Sequence, residues 1–118
     1  MSQKKTALGE FEHVLLFALV GLGGEAHGVD LRKLVEKDTG RRRSPGAIHI
    51  TLERLEARGY VTSRLGDPSP VRGGRRKRFY TLTPAGAVVL KTSYEQLQRI
   101  AAGRLERLDE MAQKAGGR

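Results

Sequence analysis

Apolar residues crowd one early stretch: Leu8, Phe11, every position from Val14 to Val20, and Leu22. An ordinary surface helix carries a single apolar stripe. This density predicts a helix covered on two sides, one by its own domain and the other by a second layer such as a partner chain. Gly21, Gly23 and Gly24 end it. A second helix is predicted from about Gly28 to Asp38, with Val29, Leu31, Leu34 and Val35 on its apolar face and Thr39-Gly40 as its stop. The short basic loop Arg41-Arg42-Arg43 follows. Ser44 then suits an N-cap and Pro45 a first helical position. That third helix should run to about Arg58 and stop at Gly59. Its buried stripe is Ile48, Leu52 and Leu55. Its other face carries Ala47, His49, Thr51 and Arg54, with Ile50 apolar yet off the core stripe.

The period then changes. Tyr60 to Leu65 and Arg76 to Leu82 are rich in Val, Thr, Tyr and Phe and read as two strands. The prolines and glycines of residues 66–75 make a hairpin tip between them. Thr83-Pro84 repeats the cap-then-proline signal and predicts a helix to about Gln113, weakened at Gly86 and Gly103. Its apolar stripe is Leu90, Tyr94, Leu97, Ala101, Leu105, Leu108 and Ala112, repeating every eleven residues. That repeat fits an almost straight helix, on the order of 45 Å long at about 1.5 Å per residue. A small domain cannot cover the whole stripe, so its distal half should meet a partner. The chain divides into residues 1–83, a compact head, and residues 84–118, a dimerisation helix and tail.

Composition narrows the chemistry. The chain has 118 residues, about one domain. With 5% aromatic residues and no Trp, its core must be aliphatic. The absence of Cys removes disulfides, thiolate metal sites and cysteine nucleophiles together. Between Arg32 and Arg78 basic residues outnumber acidic ones by nine, which is the whole net charge of +9. A basic middle between neutral ends points to a polyanion. The run Val14–Val20 is too short to span a membrane. Glu10 and Glu12 after Lys4 and Lys5 do not fit a signal peptide. A cytoplasmic protein with no membrane partner is expected.

Enzyme signatures are missing: there is no nucleophile elbow, phosphate loop or dinucleotide fingerprint. Glu10 with Glu12, and Glu53 with Glu56, read as helix-surface charges. His13, His27 and His49 lack metal-ligand spacing. His13, inside an apolar helix, suits an interfacial hydrogen bond instead. No catalysis, metal or cofactor is expected.

The predicted order is helix, helix, turn, helix, two strands, long helix. This is a mainly α, α+β arrangement: a winged helix-turn-helix with a long C-terminal dimerisation helix. Such a fold sets its later helix in the DNA major groove, N-terminal residues at the base edges. Small residues Gly46 and Ala47 would let the helix N-terminus approach a phosphate. His49 and Thr51 offer hydrogen bonds to bases, and Ile50 suits a thymine methyl. Arg72 and Arg75, flanking Gly73-Gly74, could enter a minor groove. Arg41 to Arg43 form either a phosphate clamp or a solvated loop. Arg75 to Arg78 either touch DNA or protect a strand edge by charge. Alternation sends Lys77 to the opposite face from Arg76 and Arg78.

Several segments resemble the PadR family of bacterial transcriptional regulators. They are Leu8-Gly9-Glu10-Phe11-Glu12-His13, Gly28, Ser44-Pro45-Gly46-Ala47-Ile48 with Thr51-Leu52-Leu55, and Gly59-Tyr60-Val61. Gly73-Gly74-Arg75-Arg76-Lys77-Arg78-Phe79-Tyr80 and Leu82-Thr83-Pro84-Ala85-Gly86 complete the set. The single C-terminal helix is similar to the family's short subgroup. The resemblance implies a homodimer held by its first and last helices, acting mostly as a repressor on a pseudo-palindromic operator. It also implies response to a small-molecule effector and control of detoxification or transport genes. Carried onto this chain, the resemblance puts Ser44, Gly46, Ala47, His49, Ile50 and Thr51 at the DNA and Arg72, Gly73, Gly74 and Arg75 at the wing tip; the basic pattern adds Arg41, Arg42, Arg43, Arg54 and Lys77 to the expected DNA-binding residues. The dimer residues are Phe11, Leu15, Leu90, Tyr94, Leu97, Ala101, Leu105 and Leu108. Many members have Tyr-Pro where this chain has His49-Ile50, so its base preference should differ. The family's best-described drug pocket uses a Trp on the last helix, which this chain lacks. Two other readings compete: a winged-helix protein-interaction module, and a nucleic-acid binder indifferent to sequence.

Overall fold

A computed structural model of the chain describes residues 7–67 and 76–117. The elements run α1 (Glu10–Gly21), β1 (Glu25–His27), α2 (Gly28–Thr39), α3 (Pro45–Ala57), β2 (Val61–Leu65), β3 (Arg78–Leu82), α4 (Pro84–Ala101) and α5 (Leu105–Gly117). The helix-helix-turn-helix-hairpin order of the sequence reading is present, so the head is a winged helix-turn-helix of the α+β class. Two features depart from expectation. A third strand, β1, precedes α2, and the last helix is broken.

Helix α1 has two apolar faces. Leu15, Leu16, Ala18 and Leu19 are buried, while Phe17 and Val20 remain 45% and 49% exposed. The inner face meets Leu31 and Val35 of α2, Ile48, Leu52 and Leu55 of α3, and Val61 and Tyr80 of the sheet in one aliphatic cluster. Glu12 fixes the start of α1 to the end of α3. Its carboxylate accepts from the Gly9 amide at 2.8 Å and from Arg58 Nη1 at 3.3 Å to each oxygen. Arg58 Nη2 also donates to the Ala7 carbonyl at 2.9 Å. One cation of the basic middle is thus spent on holding the head together.

The sheet has the order β1-β3-β2, antiparallel throughout. Tyr80 of β3 stands between Ala26 and Ser63 and turns inward. On the outer face Glu25 ties the three strands: it accepts from Arg64 of β2 at 3.2 and 3.3 Å and from Thr81 of β3 at 2.9 Å. The Arg64 hydrogen bond, and then that of Thr81, holds the exposed Glu25 carboxyl below its ordinary 4.5. This support is therefore present above that pH and fades as pH falls through the depressed value.

Thr83 caps α4, accepting from the Gly86 amide at 3.0 Å and donating to the Gly59 carbonyl at 2.7 Å. Gly86 lies directly on the Tyr60 carbonyl oxygen, where a Cβ would overlap it. Leu90 enters the core of the head. His13 Nε2 of α1 lies 2.7 Å from Ser93 Oγ of α4. The first turns of α4 thus pack against the head.

The expected continuous helix to Gln113 ends at Ala101. Ala102 leaves helical geometry at φ −58°, ψ 129°, and Gly103 turns left-handed at φ 77°, where lack of a Cβ costs nothing. Helix α4 has 18 residues, about 27 Å at roughly 1.5 Å per residue. The eleven-residue stripe is therefore bent between Ala101 and Leu105. No described helix is long and apolar enough to cross a membrane.

Gly86→Ala tests the α4 junction. Helix propensity alone favours Ala by about 1 kcal/mol. The overlap with Tyr60 instead predicts a loss of roughly 1–3 kcal/mol in urea unfolding. Unchanged or increased stability contradicts the close packing.

Candidate nucleic-acid interface

The turn into α3 is set by two local devices. Ser44 has extended backbone, at φ −69° and ψ 152°, and Pro45 fixes the first helical φ. The Ser44 hydroxyl oxygen accepts from the Ala47 amide at 3.0 Å. Gly46 is exposed, and a Cβ there would approach nothing closer than Ser44 Oγ at 3.9 Å. The head's own packing does not require glycine at this position. The small residue leaves the helix end open to an approaching group.

Helix α3 divides by exposure. Ile48, Thr51, Leu52 and Leu55 are buried. The sequence reading placed Thr51 among the base-contacting residues, but its hydroxyl donates to the Ala47 carbonyl at 2.9 Å and the residue is 7% exposed. Its i+3 spacing from Ile48 puts it on the core stripe. The outward row is Gly46, His49, Ile50, Glu53 and Arg54. Ile50 is 50% exposed. His49 Nε2 sits 3.0 Å from Glu53 Oε2, so Glu53 orients the imidazole. The i, i+4 spacing of His49 and Glu53 is the sequence signal for this pair, beyond the surface charge expected of Glu53.

The three arginines of the turn differ. Arg43 lies over the Phe11 ring of α1, 4.2 Å from its centroid. Arg42 reaches Glu36 at 3.7 Å with 83% of its side chain exposed, and Arg41 is exposed. At the base of the wing, the Gly66 amide donates to the Lys77 carbonyl at 2.6 Å. Arg76 Nε donates to the Gly66 carbonyl at 2.8 Å. Arg76, Lys77 and Arg78 are exposed. Arg72, Gly73, Gly74 and Arg75 lie outside the described residues. Among the described residues no three His, Asp or Glu side chains gather as a metal site would need.

The residues expected at a dimer interface also separate. Leu15 and Leu90 are 1% and 4% exposed inside the head's own core. Because the chain itself covers them, they present no surface to a partner. Phe11 is half-buried beneath Arg43. Tyr94, Leu97, Leu105 and Leu108 are 45–62% exposed, and Ala101 is partly so. The sequence reading omitted Phe17, Val20, Ile100 and Met111, which are exposed apolar residues of α1, α4 and α5. Phe17 meets Tyr94 edge-on, with ring centroids 5.8 Å apart.

Known proteins share this layout. The model of the transcriptional regulator PadR-like family matches residues 16–92. The transcriptional regulator Rv3488 of Mycobacterium tuberculosis is 38% identical over 77 residues, 65% of this chain and 67% of that protein. A PadR family transcription regulator from Clostridium difficile superposes with a TM-score of 0.66 at 18% identity, covering 83% of this chain and 98% of the other. Bacillus subtilis PadR, in its crystal with operator DNA, gives 0.58 at 22% identity over 75% of this chain and 46% of that one. At such identities the two structures speak for the fold.

The unequal arginines give a stability prediction. Arg43→Ala should cost about 1 kcal/mol in urea unfolding, through the lost cation–π contact and stem packing. Arg41→Ala and Arg42→Ala should be near neutral, as exposed charges are. Equal effects at the three positions contradict the assignment.

Proposed function

The chain belongs to the PadR-like family of transcriptional regulators, and from that premise we propose that it acts as a homodimeric repressor that reads a pseudo-palindromic operator in double-stranded DNA. Membership sets it among regulators and not enzymes. The observation that carries the DNA reading is the outward row of α3. A capped, open helix N-terminus is followed by His49 and Ile50, both unburied, in the basic part of the chain. In a major groove His49 offers a hydrogen bond to a base edge and Ile50 an apolar contact to a thymine methyl. Arg41, Arg42, Lys77 and the wing arginines supply the salt-dependent phosphate attraction.

Two copies would pair through the exposed faces of α1, α4 and α5. Phe17, Tyr94, Leu97, Leu105 and Leu108 form an apolar surface that a lone chain leaves in water. Pairing places two α3 helices about one DNA turn apart. Repression follows from occupying a promoter. A small-molecule effector at the dimer interface would act by binding one spacing of the two heads better than the other. A protein-interaction module would not need the reading row, and a sequence-indifferent binder would not need His49 and Ile50.

The test uses a duplex selected from a random pool, followed by anisotropy at two salt concentrations. Parent protein should prefer the selected duplex over a scrambled one by a thousandfold or more. His49→Ala with Ile50→Ala should reduce that preference by about 1–3 kcal/mol per lost base contact, and Thr51→Val should leave it intact. Equal affinity for both duplexes contradicts sequence reading. Leu97→Asp with Leu108→Asp should give single chains in sedimentation and weaken operator binding. A single-chain mass for the parent at micromolar concentration contradicts the dimer.

A further inference from the structure

Helices α2 and α3 and the start of β3 enclose a cleft of about 360 Å³, within the range of small-molecule sites. Its lining is of two kinds. Ile48, Leu52 and Tyr80 form an apolar floor, each 4% exposed or less. Pro45 and Val29 form apolar walls. Val29 is the only large apolar side chain described on α2 that is left exposed, at 47%, and it lies on a different helix from those of the apolar dimer surface. The rim is cationic, with Arg32, Arg76, Lys77 and Arg78, and among the described residues no carboxylate lines the cleft. Two acids meet the histidines of the cleft: Asp30 lies 3.2 Å from His27, and Glu53 3.0 Å from His49. Arg32 and Lys77 have no ion-pair partner among the described residues.

We propose that this cleft binds a small amphipathic organic anion, an apolar body ending in one carboxylate, and that its occupancy excludes DNA. Charge alone would suit a DNA phosphate. A phosphate has no use for the apolar floor beneath the cations, whereas an alkyl or aryl carboxylate matches both. The body lies on Ile48, Leu52 and Val29, while the carboxylate meets Arg32 and Lys77. Among the described residues the Tyr80 hydroxyl has no hydrogen-bond partner, and burial raises its pKa. It therefore stays a neutral phenol able to donate to a ligand. His49 forms part of the same cleft and also the outward row of α3. A ligand here would occupy the reading head itself rather than act through the dimer interface.

The exclusion rests on the DNA reading above, while the binding does not, and the experiment separates them. Methyl-labelled full-length protein is titrated with decanoate, and with inorganic phosphate as the control. Saturable shifts at Val29, Ile48 and Leu52 with decanoate alone are expected. Operator affinity, measured in parallel, should weaken about tenfold at decanoate ten times its Kd, as mutual exclusion requires. Val29→Glu, on an exposed wall position, should abolish both responses while thermal unfolding stays cooperative. Arg32→Gln should weaken decanoate binding and keep the shifts at the same methyls. No shifts, shifts confined to Leu97, Leu105 and Leu108, or the same shifts with phosphate would each overturn the site. Cleft shifts with unchanged operator affinity would overturn the exclusion. Failure of the ligand-free protein to bind any duplex counts against the DNA reading, and the methyl shifts still decide the cleft.

Discussion

Helix α1 must be covered on two sides, and the rest of the architecture answers that demand. Leu15, Leu16 and Leu19 form the layer on which α2, α3 and the sheet close. The opposite side, with Phe17 and Val20, receives only partial cover from Tyr94 of α4. One helix therefore serves as the floor of the head and carries part of the exposed apolar surface. Burial of this sort is worth about 25 cal/mol per Å² of apolar surface, so an unpaired apolar stripe running along α1, α4 and α5 is a strong incentive to associate. The Glu12–Arg58 contact and the Gly86–Tyr60 approach fix both ends of the head against that floor. The orientation of α3 relative to the exposed apolar stripe follows from them.

The basic middle of the chain resolves into separate roles. Arg58 and Arg43 hold the head together, on Glu12 and over Phe11 respectively. Arg64 braces the outer face of the sheet on Glu25. Arg41, Arg42 and Lys77 stay exposed. Arg32, Arg76, Lys77 and Arg78 rim the cleft below the wing. A net charge near a fold thus overstates the cations free to meet a polyanion, because several already have acids or aromatic faces as partners.

Local chemistry was legible in the sequence. Ser44-Pro45 and Thr83-Pro84 start helices because capping and a fixed φ are properties of adjacent residues. The span of α3 and its buried stripe of Ile48, Leu52 and Leu55 were legible for the same reason, through spacing. What escaped were features decided at a distance or by a single residue. Strand β1 has three residues between glycines, too short to display alternation, and exists because β3 offers it an edge. The break at Gly103 leaves the eleven-residue repeat untouched on paper, since the repeat counts residues and not their dihedrals. Thr51 is the instructive case. A polar residue at i+3 from Ile48 lies on the core stripe, where its hydroxyl satisfies itself on Ala47. Arg43 over Phe11 joins residues far apart in the chain, and no local pattern announces it. The wing tip at 72–75 lies outside the described residues.

In the proposed dimer, α1, α4 and α5 hold two heads so that their α3 helices match successive major grooves. The chain contains no cysteine, so Ala57→Cys at the exposed end of α3 gives one spin-labelling site per copy. The pulsed dipolar distance between labels, measured on the DNA complex, reports the spacing of the two α3 helices. The proposed dimer gives one distribution, centred within about 10 Å of the roughly 34 Å helical repeat of DNA. Absence of dipolar coupling, or a distance below about 20 Å, would contradict it.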